Sequence, residues 1–266
     1  MDKTSLIHTN GRVLYAEMSG QGSPTIVIEV GSTSAGTQDA GWQPIRAQLA
    51  DRQSVVMYDR ANLGNSGPAR IPRSLDDFSA DLQAVLVGLG SLPPYLLVGC
   101  SFGGQIVIHF ASLHPELTRG VVLLDSPHPE VDLRTLAILP PLSEGGPQSL
   151  ADFRRITWQK LYAPLETVEM EGQDSLGSID RARSVWNLGN IPLAVLTAGI
   201  NEWEPDFPPK TAQAYEAIWL ELQAAYAALS RRSRHWIVAD ASHSIHEQRP
   251  DLVLEAIQWV MTESTL

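Results

Sequence analysis

A chain of 266 residues with 44% hydrophobic content can bury one large core, and a single α/β domain with an insertion fits that length better than two independent domains. Thirty acidic against 19 basic residues give a formal net charge of −11, which opposes binding to nucleic-acid phosphates and to anionic membranes. The single cysteine excludes a disulfide framework; with no basic-then-apolar leader at Met1–Ser5 and no run long enough to span a bilayer, a cytoplasmic protein is expected.

In chain order, Leu6-Ile7-His8-Thr9 and Val13-Leu14-Tyr15-Ala16-Glu17 flank Asn10-Gly11, a two-residue turn signal, and predict a β-hairpin over 5–19. Thr25 to Val30 reads as a buried strand opening into Gly31-Ser32-Thr33-Ser34-Ala35-Gly36, whose small side chains let a ligand approach the backbone. A helix from Trp42 to Ala50 and a strand from Ser54 to Tyr58 follow. The glycine-punctuated loop Asp59-Arg60-Ala61-Asn62-Leu63-Gly64-Asn65-Ser66-Gly67 then leads to a helix with a cap-like start at Ser74 and Asp77. Leu75, Phe78, Leu82, Val85, Leu86 and Leu89 share one face of that helix. Asp59, Arg60 and Asn62 are expected either to shape a rim or to brace a structural turn.

Pro94-Tyr95-Leu96-Leu97-Val98 is an apolar strand that ends in Gly99-Cys100-Ser101-Phe102-Gly103, with an apolar helix pattern immediately behind it. This is G-x-S-x-G between a strand and a helix. The glycines keep side chains out of a cramped crossing and leave the Ser101 hydroxyl exposed, while the helix start presents N–H groups to developing negative charge. Cys100 is read as small packing. Gly120 to Asp125 predicts a further strand, so strands and helices alternate as in a mostly parallel sheet covered on both faces.

Between about Pro127 and Asn190 the alternation breaks, with Pro140-Pro141, Gly145-Gly146-Pro147 and a helix-like run around Phe153 to Leu161. An insertion after a strand's carboxyl end lies over the edge where ligands bind. The expectation is a core domain of residues 1–126 and 191–266 with a helical cap over 127–190. Leu193 to Ala198 resumes the sheet. Tyr215, Ile218, Trp219, Leu222, Tyr226 and Leu229 form an amphipathic helix. His235 to Ala239 is the last strand, Asp240-Ala241-Ser242-His243 a loop, and Pro250 starts the closing helix. Arg231-Arg232-Ser233-Arg234 is most simply a solvated helix exit.

The elbow at Ser101, the loop 59–67 and the segment Ser242-His243-Ser244-Ile245-His246-Glu247-Gln248-Arg249-Pro250-Asp251 together resemble the α/β-hydrolase superfamily, in its branch of capped serine hydrolases with esterases and lactonases. The resemblance implies a mostly parallel central sheet flanked by helices, with the helical cap inserted. It also implies a histidine base in the loop after the last strand, which His243 fits, with His246 the weaker candidate. The pair His243 and His246 suggests a metal site only if a cysteine or carboxylate cluster completes it, and none is evident in the sequence; neither metal nor cofactor is expected. His8, His109, His114, His128 and His235 are expected to be structural, with His128 close enough to Asp125 to line a pocket.

The superfamily places the orienting acid after either of two strands, and both positions hold a carboxylate here, Asp125 and Glu202. Resemblance over the Trp219-to-Pro250 segment favours Asp125. Backbone N–H groups of Phe102 and Ser32 are the implied oxyanion donors, with Val30-Gly31 standing where many relatives have His-Gly. The implied activity is cleavage of a carboxylic ester or lactone through a Ser101–His243–Asp125 triad, by a monomer or homodimer whose partner is a small molecule rather than nucleic acid or a membrane. A carbon–carbon bond hydrolase, a cofactor-free perhydrolase and a slow hydrolase-fold receptor use the same triad.

Overall fold

The computed structural model describes residues 3–32, 35–141, 146–163, 171–201 and 207–265. Its strands are β1 (Lys3–Thr9), β2 (Arg12–Ser19), β3 (Thr25–Glu29), β4 (Val55–Tyr58), β5 (Tyr95–Cys100), β6 (Thr118–Leu124), β7 (Leu193–Ala198) and β8 (Ser233–Val238). They form one eight-stranded sheet in the order β1-β2-β4-β3-β5-β6-β7-β8. β2 runs antiparallel to β1 and β4, and every other neighbouring pair is parallel. The predicted hairpin forms, with Asn10 and Gly11 both at positive φ, 46° and 78°, as a two-residue turn of this hand requires.

The helices are α1 (Gln43–Ala50), α2 (Leu75–Leu89), α3 (Phe102–Leu113), α4 (Val131–Ile138), α5 (Gln148–Tyr162), α6 (Ser175–Val185), α7 (Pro209–Ala227), α8 (Ile245–Gln248) and α9 (Pro250–Glu263). The expected cap at the start of α2 is a reciprocal box in which Ser74 Oγ accepts from Asp77 N and Asp77 accepts from Ser74 N. Leu229, expected on the amphipathic helix, lies beyond the end of α7. No described helix is long and apolar enough to cross a membrane.

The central strands read as unbroken apolar runs because both faces are covered. Val27, Val56, Leu97, Val121 and Val195 pack with α2 and α3 residues such as Phe78, Leu82, Ile106 and Phe110. Their alternates Ile26, Val55, Leu96, Val122 and Leu196 face Ile45 of α1 and Val253, Ile257 and Val260 of α9. Each fully buried Val, Leu or Ile side chain contributes about 1.5–3 kcal/mol, so this double layer can offset local strain at the strand ends.

Registers place those ends. Cys100 pairs with Leu124, and Leu124 with Leu196, so Ser101 and Asp125 leave adjacent strands side by side. Helix α3 starts so close to β3 that a Cβ on Gly103 would stand 2.2 Å from Glu29 O and 2.7 Å from Val30 O. Both are backbone atoms that cannot swing aside. Gly103→Ala is therefore expected to cost about 3 kcal/mol, seen as a lower urea midpoint; an unchanged midpoint would contradict this close approach.

Candidate active site

Ser101 sits between β5 and α3 with φ 51° and ψ −127°. A side-chain-bearing residue at positive φ is strained, and such strain persists only where the surroundings fix it. Here Ser101 N donates to Leu124 O at 2.9 Å and Ser101 O accepts from Gly104 N at 2.9 Å, so both neighbours of the turn are tied down. Phe102 opens α3, where the first N–H groups have no carbonyl one turn back within the helix.

Asp125 ends β6, also at positive φ, 43°. It is 3% exposed, and its backbone N–H donates to Leu196 O at 2.7 Å. Of its carboxylate oxygens, Oδ1 accepts from Ala198 N at 3.0 Å and Oδ2 lies 2.8 Å from His243 Nδ1. A carboxylate accepting at Nδ1 leaves Nε2 as the imidazole's unprotonated, basic nitrogen. The loop carrying His243 is held by a mutual pair, in which Ser242 N donates to Gln248 Oε1 at 2.7 Å and Gln248 Nε2 to Ser242 Oγ at 2.8 Å. Glu202, the other carboxylate considered from sequence, lies outside the described residues.

Ser101, His243, Phe102 and Ser32 line one cavity of about 590 Å³ at the carboxyl ends of the strands. Its far wall comes from α4, α5, α6 and α7, with Val131, Phe153, Ile156, Tyr215 and Trp219 supplying apolar surface. Lys160 and Asp132 are a charged pair on that wall, 3.8 Å apart, and burial raises the Asp132 pKa against the pull of Lys160. A second concavity of about 650 Å³, lined by Arg119, Asn187 and Arg232 among others, lies at the amino ends of the strands, away from Ser101. Only the first is where open α/β sheets bind ligands.

The remaining histidines occupy different settings. His109 accepts at Nδ1 from Trp186 Nε1 at 3.3 Å and faces Asp76 Oδ1 through Nε2 at 2.8 Å. His235 Nε2 lies 2.8 Å from Thr197 Oγ1. His128 lines the cavity. His246 stacks on Trp42, with ring centroids 4.6 Å apart, and its Nδ1 lies 3.9 Å from Cys100 Sγ. The expectation that no carboxylate cluster completes a metal site at the His243–His246 pair is corrected at His246: donor atoms of Asp39, from the loop before α1, of His246 and of its neighbour Glu247 lie within 4.8 Å of one another.

Of the two expectations for Asp59 and Arg60, a rim and a braced turn, the structure shows the braced turn: both residues are fully buried. Asp59 accepts from Thr37 N at 2.7 Å and Asn65 N at 2.8 Å, and so braces two loops. Arg60 lies beneath the loop that carries Ser32, where its side chain meets Glu29 and Glu171. Gln173, also unremarked in the sequence, donates to Ser32 Oγ at 3.1 Å. A buried arginine is invisible from sequence when its partners lie far away along the chain.

The model of the alpha/beta hydrolase family matches residues 31–256. The uncharacterized protein YqjL of Bacillus subtilis is 32% identical over 264 residues, covering 97% of this chain and 90% of that protein. Among solved structures, an esterase from Thermogutta terrifontis superposes with TM-score 0.63 at 20% identity, covering 98% of this chain and 99% of its own. The epoxide hydrolase CorEH superposes with TM-score 0.65 at 14% identity, covering 98% and 99%. These two share the fold with this chain while differing from each other in chemistry.

Burial pushes the His128 pKa down to about 4, and its Nδ1 accepts from Glu130 N at 3.2 Å, which requires the neutral ring. The unfolded chain takes up that proton near pH 6.5. The stabilisation is therefore complete above pH 6.5 and lost as pH falls toward 4, by up to about 3 kcal/mol. Urea midpoints of wild type and His128→Asn between pH 7.5 and 4.5 should converge toward the acid end; parallel curves would contradict it.

Proposed function

This chain belongs to the α/β-hydrolase family, and on that premise we propose that it is a serine hydrolase cleaving a carboxylic ester or lactone through an acyl-enzyme. One observation carries the reading: His243 Nδ1 lies 2.8 Å from a buried Asp125 carboxylate, in the same cavity as a serine held at φ 51°. Ser101 Oγ attacks the substrate carbonyl as its proton passes to His243 Nε2, and the carbonyl π pair moves onto oxygen. Backbone N–H groups of Phe102 and Ser32 receive that oxyanion. Collapse expels the alcohol, which takes the proton back from the imidazolium, and water repeats the sequence on the acyl-enzyme. Asp125 holds the ring in the useful tautomer and stabilises the imidazolium.

Epoxide hydrolases of this superfamily use a carboxylate at the elbow, so the serine here favours acyl transfer over epoxide opening. We take residues 127–190 as a cap whose α4, α5 and α6 shape the acyl and alcohol sites, and the core as 1–126 with 191–266. The reading places a monomer or homodimer in the cytoplasm, acting on a small molecule without a metal or cofactor.

The test is steady-state hydrolysis of p-nitrophenyl esters of increasing acyl length and a few lactones. Ser101→Ala is expected to lower kcat by on the order of 10⁵-fold, and Asp125→Asn by about 10⁴-fold. Retention of most activity in Ser101→Ala would sink the nucleophile assignment. A wild-type protein with only stoichiometric turnover would instead indicate a ligand receptor.

A further inference from the structure

The buried charge beneath the triad does more than balance itself. Arg60 Nη1 donates to Glu29 Oε1 at 2.7 Å and to Val30 O at 2.6 Å. Its Nη2 donates to Gly31 O at 2.8 Å and to Glu171 Oε1 at 2.6 Å, and its Nε to Glu171 Oε2 at 2.8 Å. The guanidinium thus grips two successive carbonyls of the loop leading to Ser32, with a forked carboxylate behind it.

A trans peptide sets its N–H opposite its C=O. Capture of the Gly31 carbonyl by Arg60 therefore turns the Ser32 N–H to the other side of that peptide. Gly31 itself borders the nucleophile: a Cβ there would stand 3.2 Å from Ser101 Cβ and 3.8 Å from Ser101 Oγ. The same guanidinium lies 5.6 Å from the centroid of the Phe102 ring, on the residue that carries the other donor.

Glu171 reaches Arg60 from the segment between β6 and β7, and it does so at φ 60°, a conformation costly for any residue with a side chain. The stretch after it is tied to the core by Arg73 N donating to Gly172 O at 2.7 Å and Asp174 N to Arg73 O at 2.8 Å. Gln173 completes the grip by donating to Ser32 Oγ. One short stretch of the insertion thereby holds the Ser32 loop from beneath, through Arg60, and from the side.

We propose that Arg60, Glu171 and Gln173 are positioning residues that orient the Gly31–Ser32 peptide as an oxyanion donor, making transition-state stabilisation depend on how the insertion is seated. This rests on the serine-hydrolase reading above. The alternative is a buried ion pair that contributes stability only.

The experiment compares Glu171→Gln, Arg60→Lys and Gln173→Ala with wild type and with Leu82→Ala, a core truncation in α2 that lowers stability away from the site. Glu171→Gln leaves Glu29 to balance Arg60, and Gln173→Ala removes only a side chain at the cavity wall, so folding does not hang on one variant. Tm, kcat and KM are measured on the best ester from the panel, with inhibition by phenylboronic acid, which adds to a serine hydroxyl as a tetrahedral anion. Removal of a single oxyanion donor costs roughly 10²–10³-fold in kcat. Expected losses are 10- to 100-fold in kcat for Glu171→Gln, up to about 10³-fold for Arg60→Lys, and several-fold for Gln173→Ala. Boronate affinity should fall in parallel, with KM changed by less than about threefold. Leu82→Ala should lose Tm and keep kcat.

The proposal is overturned if Glu171→Gln and Gln173→Ala lower Tm or leave it alone while kcat and boronate inhibition stay within threefold of wild type. Loss of activity in Ser101→Ala beside that result would leave the hydrolase reading intact and remove only the positioning role. Full activity in Ser101→Ala would remove both.

Discussion

The strained backbone of one serine is the constraint on which the structure depends. At φ 51° and ψ −127°, Ser101 occupies a conformation that its own side chain disfavours. β5, fully buried along its length, and the apolar α3 hold it there from either side. Because Cys100 pairs with Leu124, the register that buries β5 also delivers Asp125 beside the serine. A one-residue slip would exchange the two packed faces of β5 and shift Ser101 relative to Asp125, so the core packing and the site share one register. Geometry that looks local to the site is inherited from packing across the whole sheet.

Much of this was legible in the chain itself. Strands buried on both faces are apolar runs, so β3, β4, β5, β6 and β7 could be read directly, and the Ser74/Asp77 box marked the start of α2. Helices α4 and α6 were not visible. The first buries only Val131 and Thr135, and the second Ser178, Ile179 and Ala182, too little apolar surface to stand out as a periodic stripe. The strand–turn–helix setting of Ser101 and the loop setting of His243 are legible in the chain, whereas a choice between two acids depends on distance in space. The contacts of Arg60 are hidden for the same reason: its carboxylates, Glu29 and Glu171, lie on opposite sides of it in sequence, and one comes from the segment between β6 and β7.

Charge reaches the cavity from both sides of the site. Its wall is mainly apolar, but Asp39 and Glu247 line it along with the Lys160–Asp132 pair. A charged ligand would meet those carboxylates and that pair, while an uncharged group needs only the apolar surface of Phe153, Tyr215 and Trp219. The chain's excess of acidic residues thus extends to the site, where among the described residues three carboxylates face one lysine.

Cys100 precedes Ser101 and is the sole cysteine of the chain. It is 5% exposed, and burial pushes its thiol pKa well up, so the reactive thiolate is suppressed while the elbow stays closed. A thiol-directed dye thus meets a single target, which lines the same cavity as Ser101. The rate of labelling therefore follows access through that cavity, separable from the global melting that spectroscopy follows.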